Sequence, residues 1–201
     1  HHIPRFLSLR RADGEDKIAL LVFDGLAIDQ WVQIREILKK RAPKLAFDEA
    51  ACFAWLPTLT SVSRQAIFSG LKPREFTETI ESTSSEPNQW SRFWQDHGLR
   101  GNEVMYRKSI TRIEQLDELD DALSTTTLKV AGIVVDTVDQ MVHGTVLGKR
   151  AIAAQIESWC ETGFVERLLT VIETCRRQRR NVYSWLADTI QAHYNGQQTP
   201  S

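Results

Sequence analysis

"TLKVAGIVVD", residues 127–136, decides how this chain folds. Its apolar residues run on without polar alternation, and Val and Ile dominate. A strand of that kind is covered on both faces, which is the pattern of a parallel sheet with helices above and below it. The run stops at Asp136. "KIALLVFDG", residues 17–25, has the same form: a short apolar run that stops at Asp24-Gly25. "FDEAACFAWLPT", residues 47–58, reads as a further apolar strand, residues 103–107 as an edge strand, and a last strand begins near Asn181.

Helical patterns lie between these runs. "DQWVQIREILKK" places Trp31, Ile34, Ile37 and Leu38 on one face, with Asp29 as its cap and Pro43 beyond its end. "SVSRQAIFSG" is a short helix stopped by Gly70, "QWSRFWQDHG" another stopped by Gly98, and "RIEQLDELDDAL" an acidic one. Residues 72–89 are polar and proline-punctuated, a loop. Residues 151–179 read as one long helix or two consecutive ones. Strands alternating with helices predict an α/β fold, a mostly parallel sheet with helices on both faces. "RRADGED", residues 10–16, reads as a charged linker, and His1 and His2 look like the remnant of an affinity tag. The expected division is therefore tag remnant and linker over 1–16 and one domain over 17–201.

The composition narrows the function classes. With 25 Lys and Arg against 26 Asp and Glu, the net charge of −1 excludes a chain that is basic throughout, so nucleic-acid binding would need a local patch. "CRRQRRN", residues 175–181, is either such a patch or the solvated end of a helix. Three scattered cysteines make neither a disulfide framework nor a zinc cluster, which favours a reducing compartment such as the cytoplasm. No apolar run reaches the roughly 18 residues of a membrane span. The six tryptophans suit core packing better than base stacking, because Trp31, Trp55 and Trp159 sit in apolar-patterned elements and Trp90 and Trp94 share a helical face.

Ligands of open parallel sheets bind beyond the carboxyl ends of the strands. That rule directs attention to Asp24, to Thr58 and Thr60 at the end of the second strand candidate, and to Asp136 and Asp139. Asp139 and His143 are spaced i and i+4, so on a helical turn they share a face, either as a metal-binding pair or as a capped turn with a solvent histidine. Thr60 opens a helix, where free N–H groups attract anions; it is either a cap or a nucleophile in need of activation. Arg64, one turn on, either reaches a phosphate oxygen or lies on the surface. Asp24 is either a ligand or a loop cap.

"LLVFDGLAIDQW", "LPTLTSVSRQAIFSGLKP" and "VVDTVDQMVHG", in that order, resemble the PglZ domain family, which belongs to the alkaline-phosphatase superfamily and is associated with bacterial phage-defence systems of the BREX type. The resemblance spans roughly residues 17 to 183. It implies an alkaline-phosphatase-like core. It also implies phosphoester hydrolysis, as a phosphatase or a phosphodiesterase or nuclease, with divalent metal ions, zinc first and manganese second. Asp24 then matches a metal ligand, Thr60 the nucleophile and a ligand, and Asp139 and His143 the ligands of the other ion. Partners would be a phosphoester substrate, with nucleic acid among the candidates, and other proteins of a defence system, with no membrane.

One part of the family pattern departs. The superfamily's Asp-His-Gly is represented only by Asp188, followed by Thr189 and Ile190, and the final histidine has no counterpart but His193. The expected core therefore stops short at its C-terminal end, and the expected metal binding is weak or single. Besides the hydrolase, two further readings stand: a catalytically impaired binding or scaffold module of a defence complex, and a metal-free hydrolase, for which no histidine is placed as base.

Overall fold

A computed structural model of the chain describes residues 1–14, 17–41, 43, 47–111, 114–139, 154, 157–159 and 161–164. The described elements are α1 (His2–Ala12), β1 (Ile18–Phe23), α2 (Ile28–Arg41), α3 (Thr60–Ser69), α4 (Glu86–Asp96), β2 (Val104–Ile110), α5 (Glu114–Ser124) and β3 (Val130–Val135). The last strand expected near Asn181 and most of residues 151–179 lie outside the described residues.

The apolar run around Val130 takes the place its composition demands. β3 is central in a three-stranded sheet of order β1-β3-β2, parallel to both neighbours, and all six of its residues are buried. Successive side chains point to opposite faces. Ala131, Ile133 and Val135 meet Ile34 and Leu38 of α2 and Leu119 and Leu123 of α5, with Trp159 and Phe164. Val130 and Val134 meet Phe68 of α3 and Trp90, Phe93 and Trp94 of α4. Helices thus cover both faces of a parallel sheet, and the expected α/β class holds.

Gly132 leaves room on the aromatic face. A Cβ there would stand 3.0 Å from the rings of both Phe68 and Trp90. Those rings pack edge to face, with centroids 5.4 Å apart, and Trp90 Nε1 donates to the Met105 carbonyl at 3.0 Å. Trp90 and Trp94 are fully buried, so their role is packing. On the other face Lys17 is buried, and its Nζ donates to the carbonyls of Leu123 (2.9 Å) and Thr125 (2.5 Å). It satisfies the C-terminal end of α5, where the helix dipole favours a cation.

Four local expectations change. Residues 47–58 form no strand: they run irregularly, with Phe53 and Leu56 exposed. Glu49 accepts from Trp31 Nε1 at 2.8 Å and from Arg35 Nη1 at 2.6 Å, which fastens this segment to α2 instead of the sheet. Asp29 lies inside the first turn of α2. The side chain that caps the turn is Gln30, whose Oε1 accepts from the Ala27 N–H at 2.8 Å. Arg10 to Ala12, expected in a linker, complete α1, whose Arg5 donates to the Gly70 carbonyl at 3.3 Å. The polar stretch 72–89 contains two 3₁₀ turns, Pro73–Glu75 and Thr77–Thr79, before α4 begins. No helix among the described residues is long and apolar enough to cross a membrane.

Candidate functional site at the carboxyl edge of the sheet

The strand register brings two aspartates together. Phe23 of β1 lies opposite Val135 of β3, and the Asp24 N–H donates to the Val135 carbonyl at 3.0 Å. Asp24 and Asp136, the next residues of two parallel neighbours, therefore emerge side by side at the carboxyl edge. Gly25 then turns the chain with φ +73°, a conformation that disfavours a side chain. A Cβ at Gly25 would lie 3.0 Å from Asp139 Cα, so the absence of a side chain lets the first turn rest on the backbone of Asp139. Asp139 is half-buried in the helical turn that follows β3.

α3 supplies the other wall. Thr60 is its first residue and is exposed, with Leu59 in the capping position. Arg64 lies one turn further along the same face. It is no surface arginine: its side chain is 7% exposed. Nη1 donates to Asp24 Oδ2 at 3.0 Å and to Asp136 Oδ1 at 3.1 Å. Nε and Nη2 donate to the two carboxylate oxygens of Glu86 at 2.9 and 2.6 Å, and Nη2 also meets Tyr106 Oη at 3.4 Å. A guanidinium has five N–H groups, and these contacts give each an acceptor.

Glu86 and Tyr106 carry no signal in the sequence. Glu86 opens α4, where the helix dipole favours a carboxylate, and its side chain is 0% exposed. Tyr106, on β2, donates its hydroxyl hydrogen to Glu86. Exposure rises along the network, from Glu86 to Asp24 at 11% and Asp136 at 14%. Its inner end is dry and its outer end opens at the sheet edge.

The electrostatics follow from that gradient. Burial raises the Asp24 pKa above its ordinary value; the hydrogen bond and charge of Arg64 oppose the rise, and the charges of Asp139 and Asp136 add to it. For Arg64, burial works against the charge, but Glu86, Asp24 and Tyr106 outweigh it and hold the guanidinium pKa above its usual range. Burial, followed by the bond to Glu86, raises the Tyr106 phenol, which keeps its proton and stays a donor.

Of the residues expected from the sequence, Asp24 and Asp139 meet at this edge and Thr60 begins the helix bound to it through Arg64. His143 and Asp188 lie outside the described residues. Among the described residues no group of three or more His, Cys, Asp or Glu side chains is arranged to hold one ion. The donor chemistry of this edge does suit a divalent cation: the carboxylates of Asp24, Asp136 and Asp139 are hard oxygen donors, and Arg64 is the one cation bonded to Asp24 and Asp136 among the described contacts.

The family described as the BREX system PglZ alkaline phosphatase-like domain matches residues 8–176 of this chain. Comparison with curated proteins finds no match.

Proposed function

We propose that this chain, which belongs to the PglZ family of BREX-system alkaline phosphatase-like domains, hydrolyses a phosphoester with Thr60 as nucleophile. Membership makes it a phosphoesterase-like domain of a multi-protein phage-defence system. The activity, its metals and its substrate are our reading. The observation that carries it is the meeting of Asp24 and Asp139 at the carboxyl edge of β1 and β3, beside the helix that Thr60 opens.

In this reading Asp24, Thr60, Asp139, His143 and Asp188 furnish the metal donors, and zinc or manganese is the ion. A bound divalent cation would supply the positive charge that makes the Thr60 hydroxyl a better nucleophile and offsets charge on the phosphoryl oxygens. Thr60 Oγ1 forms a bond to phosphorus as the bond to the leaving oxygen breaks in line with it. The threonine proton passes to water, and the leaving oxygen takes a proton from water. Hydrolysis of the phosphothreonine then returns the hydroxyl. The free N–H groups at the start of α3 favour the phosphate charge. Arg64 could contact phosphate only by exchanging one of its present bonds. A cytoplasmic setting fits Cys52, which is a free and exposed thiol.

A second reading, a binding or scaffold module for nucleic acid or for other proteins of the defence system, draws support from Arg64, which already gives both strand-end aspartates a cationic partner. Hydrolysis of an aryl phosphate and of a bis-aryl phosphodiester, with zinc or manganese added, separates the two. The hydrolase reading expects turnover that falls by at least about a thousandfold in Thr60→Ala. Absence of turnover with either ion, together with co-purification of a partner, would establish the module instead.

A further inference from the structure

Arg64 is the centre of a bonded chain that runs from the dry interior to the sheet edge. Glu86 grips the guanidinium through both carboxylate oxygens. The two parallel bonds fix its plane as well as its place, which a single contact would not do. Tyr106 donates to Glu86 and so fixes the gripping carboxylate in turn. The far side of the guanidinium presents one nitrogen, Nη1, to Asp24 and Asp136 together. Those two aspartates end adjacent strands, and their charges repel. One shared donor holds an oxygen of each at a set point and leaves Asp24 Oδ1 and Asp136 Oδ2 outside these bonds.

We propose that Arg64, clamped by Glu86 and Tyr106, is a positioning residue: it fixes Asp24 and Asp136 at the ends of β1 and β3 and thereby sets the affinity of the site for a divalent cation. The inference rests on the proposed role of Asp24 as a metal ligand. It gives Asp136, Glu86 and Tyr106 a function that neither the motif pattern nor the family match assigns. It also explains why a guanidinium stands here: an ammonium could not grip Glu86 in two parallel bonds while bridging two aspartates from a third nitrogen.

Calorimetric titration with manganese, on the whole chain after removal of bound metal, tests this through binding and not turnover. Groups that orient a metal's ligands typically change affinity by about 10- to 100-fold when altered. Arg64→Lys is expected to fall in that range. Tyr106→Phe, which removes one hydroxyl and keeps the ring, is expected to weaken binding by roughly tenfold, the lower end of that range, with an unchanged far-ultraviolet circular dichroism spectrum. Arg107→Ala, which alters an exposed neighbour on β2, is expected to leave affinity unchanged. If Arg64→Lys fails to fold, Tyr106→Phe decides. Wild-type affinity in both network variants, with binding lost in Asp24→Asn, would overturn the positioning role and leave the Asp24 assignment standing. A wild-type chain that takes up no manganese would sink both.

Discussion

Replacing Arg64 with alanine removes the cation from a carboxylate that water does not reach. Glu86 is 0% exposed and Arg64 7%, and two hydrogen bonds at 2.9 and 2.6 Å join them. Removing one partner of such a buried pair costs about 3–5 kcal/mol, because the remaining charge is neither solvated nor paired. Asp24 and Asp136 lose their shared donor in the same step. Folded domains hold only about 5–15 kcal/mol in total, so the loss is a large fraction of the stability. With a urea dependence near 2 kcal/mol per molar, the unfolding midpoint should fall by about 1.5–2.5 M. Equilibrium unfolding in urea at neutral pH, followed by tryptophan fluorescence, reads this directly. The double variant Arg64→Met, Glu86→Leu should regain at least about half of the loss, since an apolar pair of similar volume often matches a buried ion pair. A midpoint shift below about 0.25 M for Arg64→Ala, the size of an ordinary surface substitution, would refute the buried network.

Three further outcomes follow from single contacts. Gly132→Ala places a methyl 3.0 Å from Phe68 and Trp90 and should lower unfolding stability by about 1–3 kcal/mol in the same urea assay, as overpacking does; a neutral result would mean the aromatic face is looser than its contacts. Gly25→Ala combines φ +73° with an approach of 3.0 Å to Asp139 Cα, and should cost at least about 1–2 kcal/mol by thermal or urea unfolding. Asp24 binds its proton more tightly folded than unfolded, because burial raises its pKa. Its contribution to stability is thus fully present below the unfolded carboxylate value of about 3.9 and is lost as pH rises through the higher folded value. The melting temperature of Asp24→Asn minus that of the wild type, measured in chelator, should therefore increase from acid toward neutral pH; a difference independent of pH would contradict the burial of that charge.

The parts of this molecule legible in its sequence are those set by local pattern. Val130 to Val135 have no polar alternation because both their faces are covered, and so the central parallel strand could be read in advance. Gly70 and Gly98, both with positive φ, stop α3 and α4 where the helical spacing ends. Asp24 and Asp136 follow from the rule that polar residues at strand ends gather on one edge. Residues 47–58 misled because their apolar content resembles that of a strand, while the contacts that decide their course run from Glu49 to Trp31 and Arg35. The Arg64 network was hidden for a similar reason. Glu86 lies 22 positions from Arg64, and Tyr106 lies 42 away. A glutamate before a proline in a polar stretch looks like any helix-opening acid; only the packing of α3, α4 and β2 around one dry point makes it the counter-ion of Arg64.

The central claim, that Thr60 attacks phosphorus, is met most directly by acid quench of the manganese-loaded chain during turnover of an aryl phosphate, followed by tandem mass spectrometry. A phosphoryl group on Thr60 in the wild type, and none anywhere in Thr60→Ala, is the predicted result. Turnover that survives in Thr60→Ala, or a phosphoryl group carried on another residue, would contradict it.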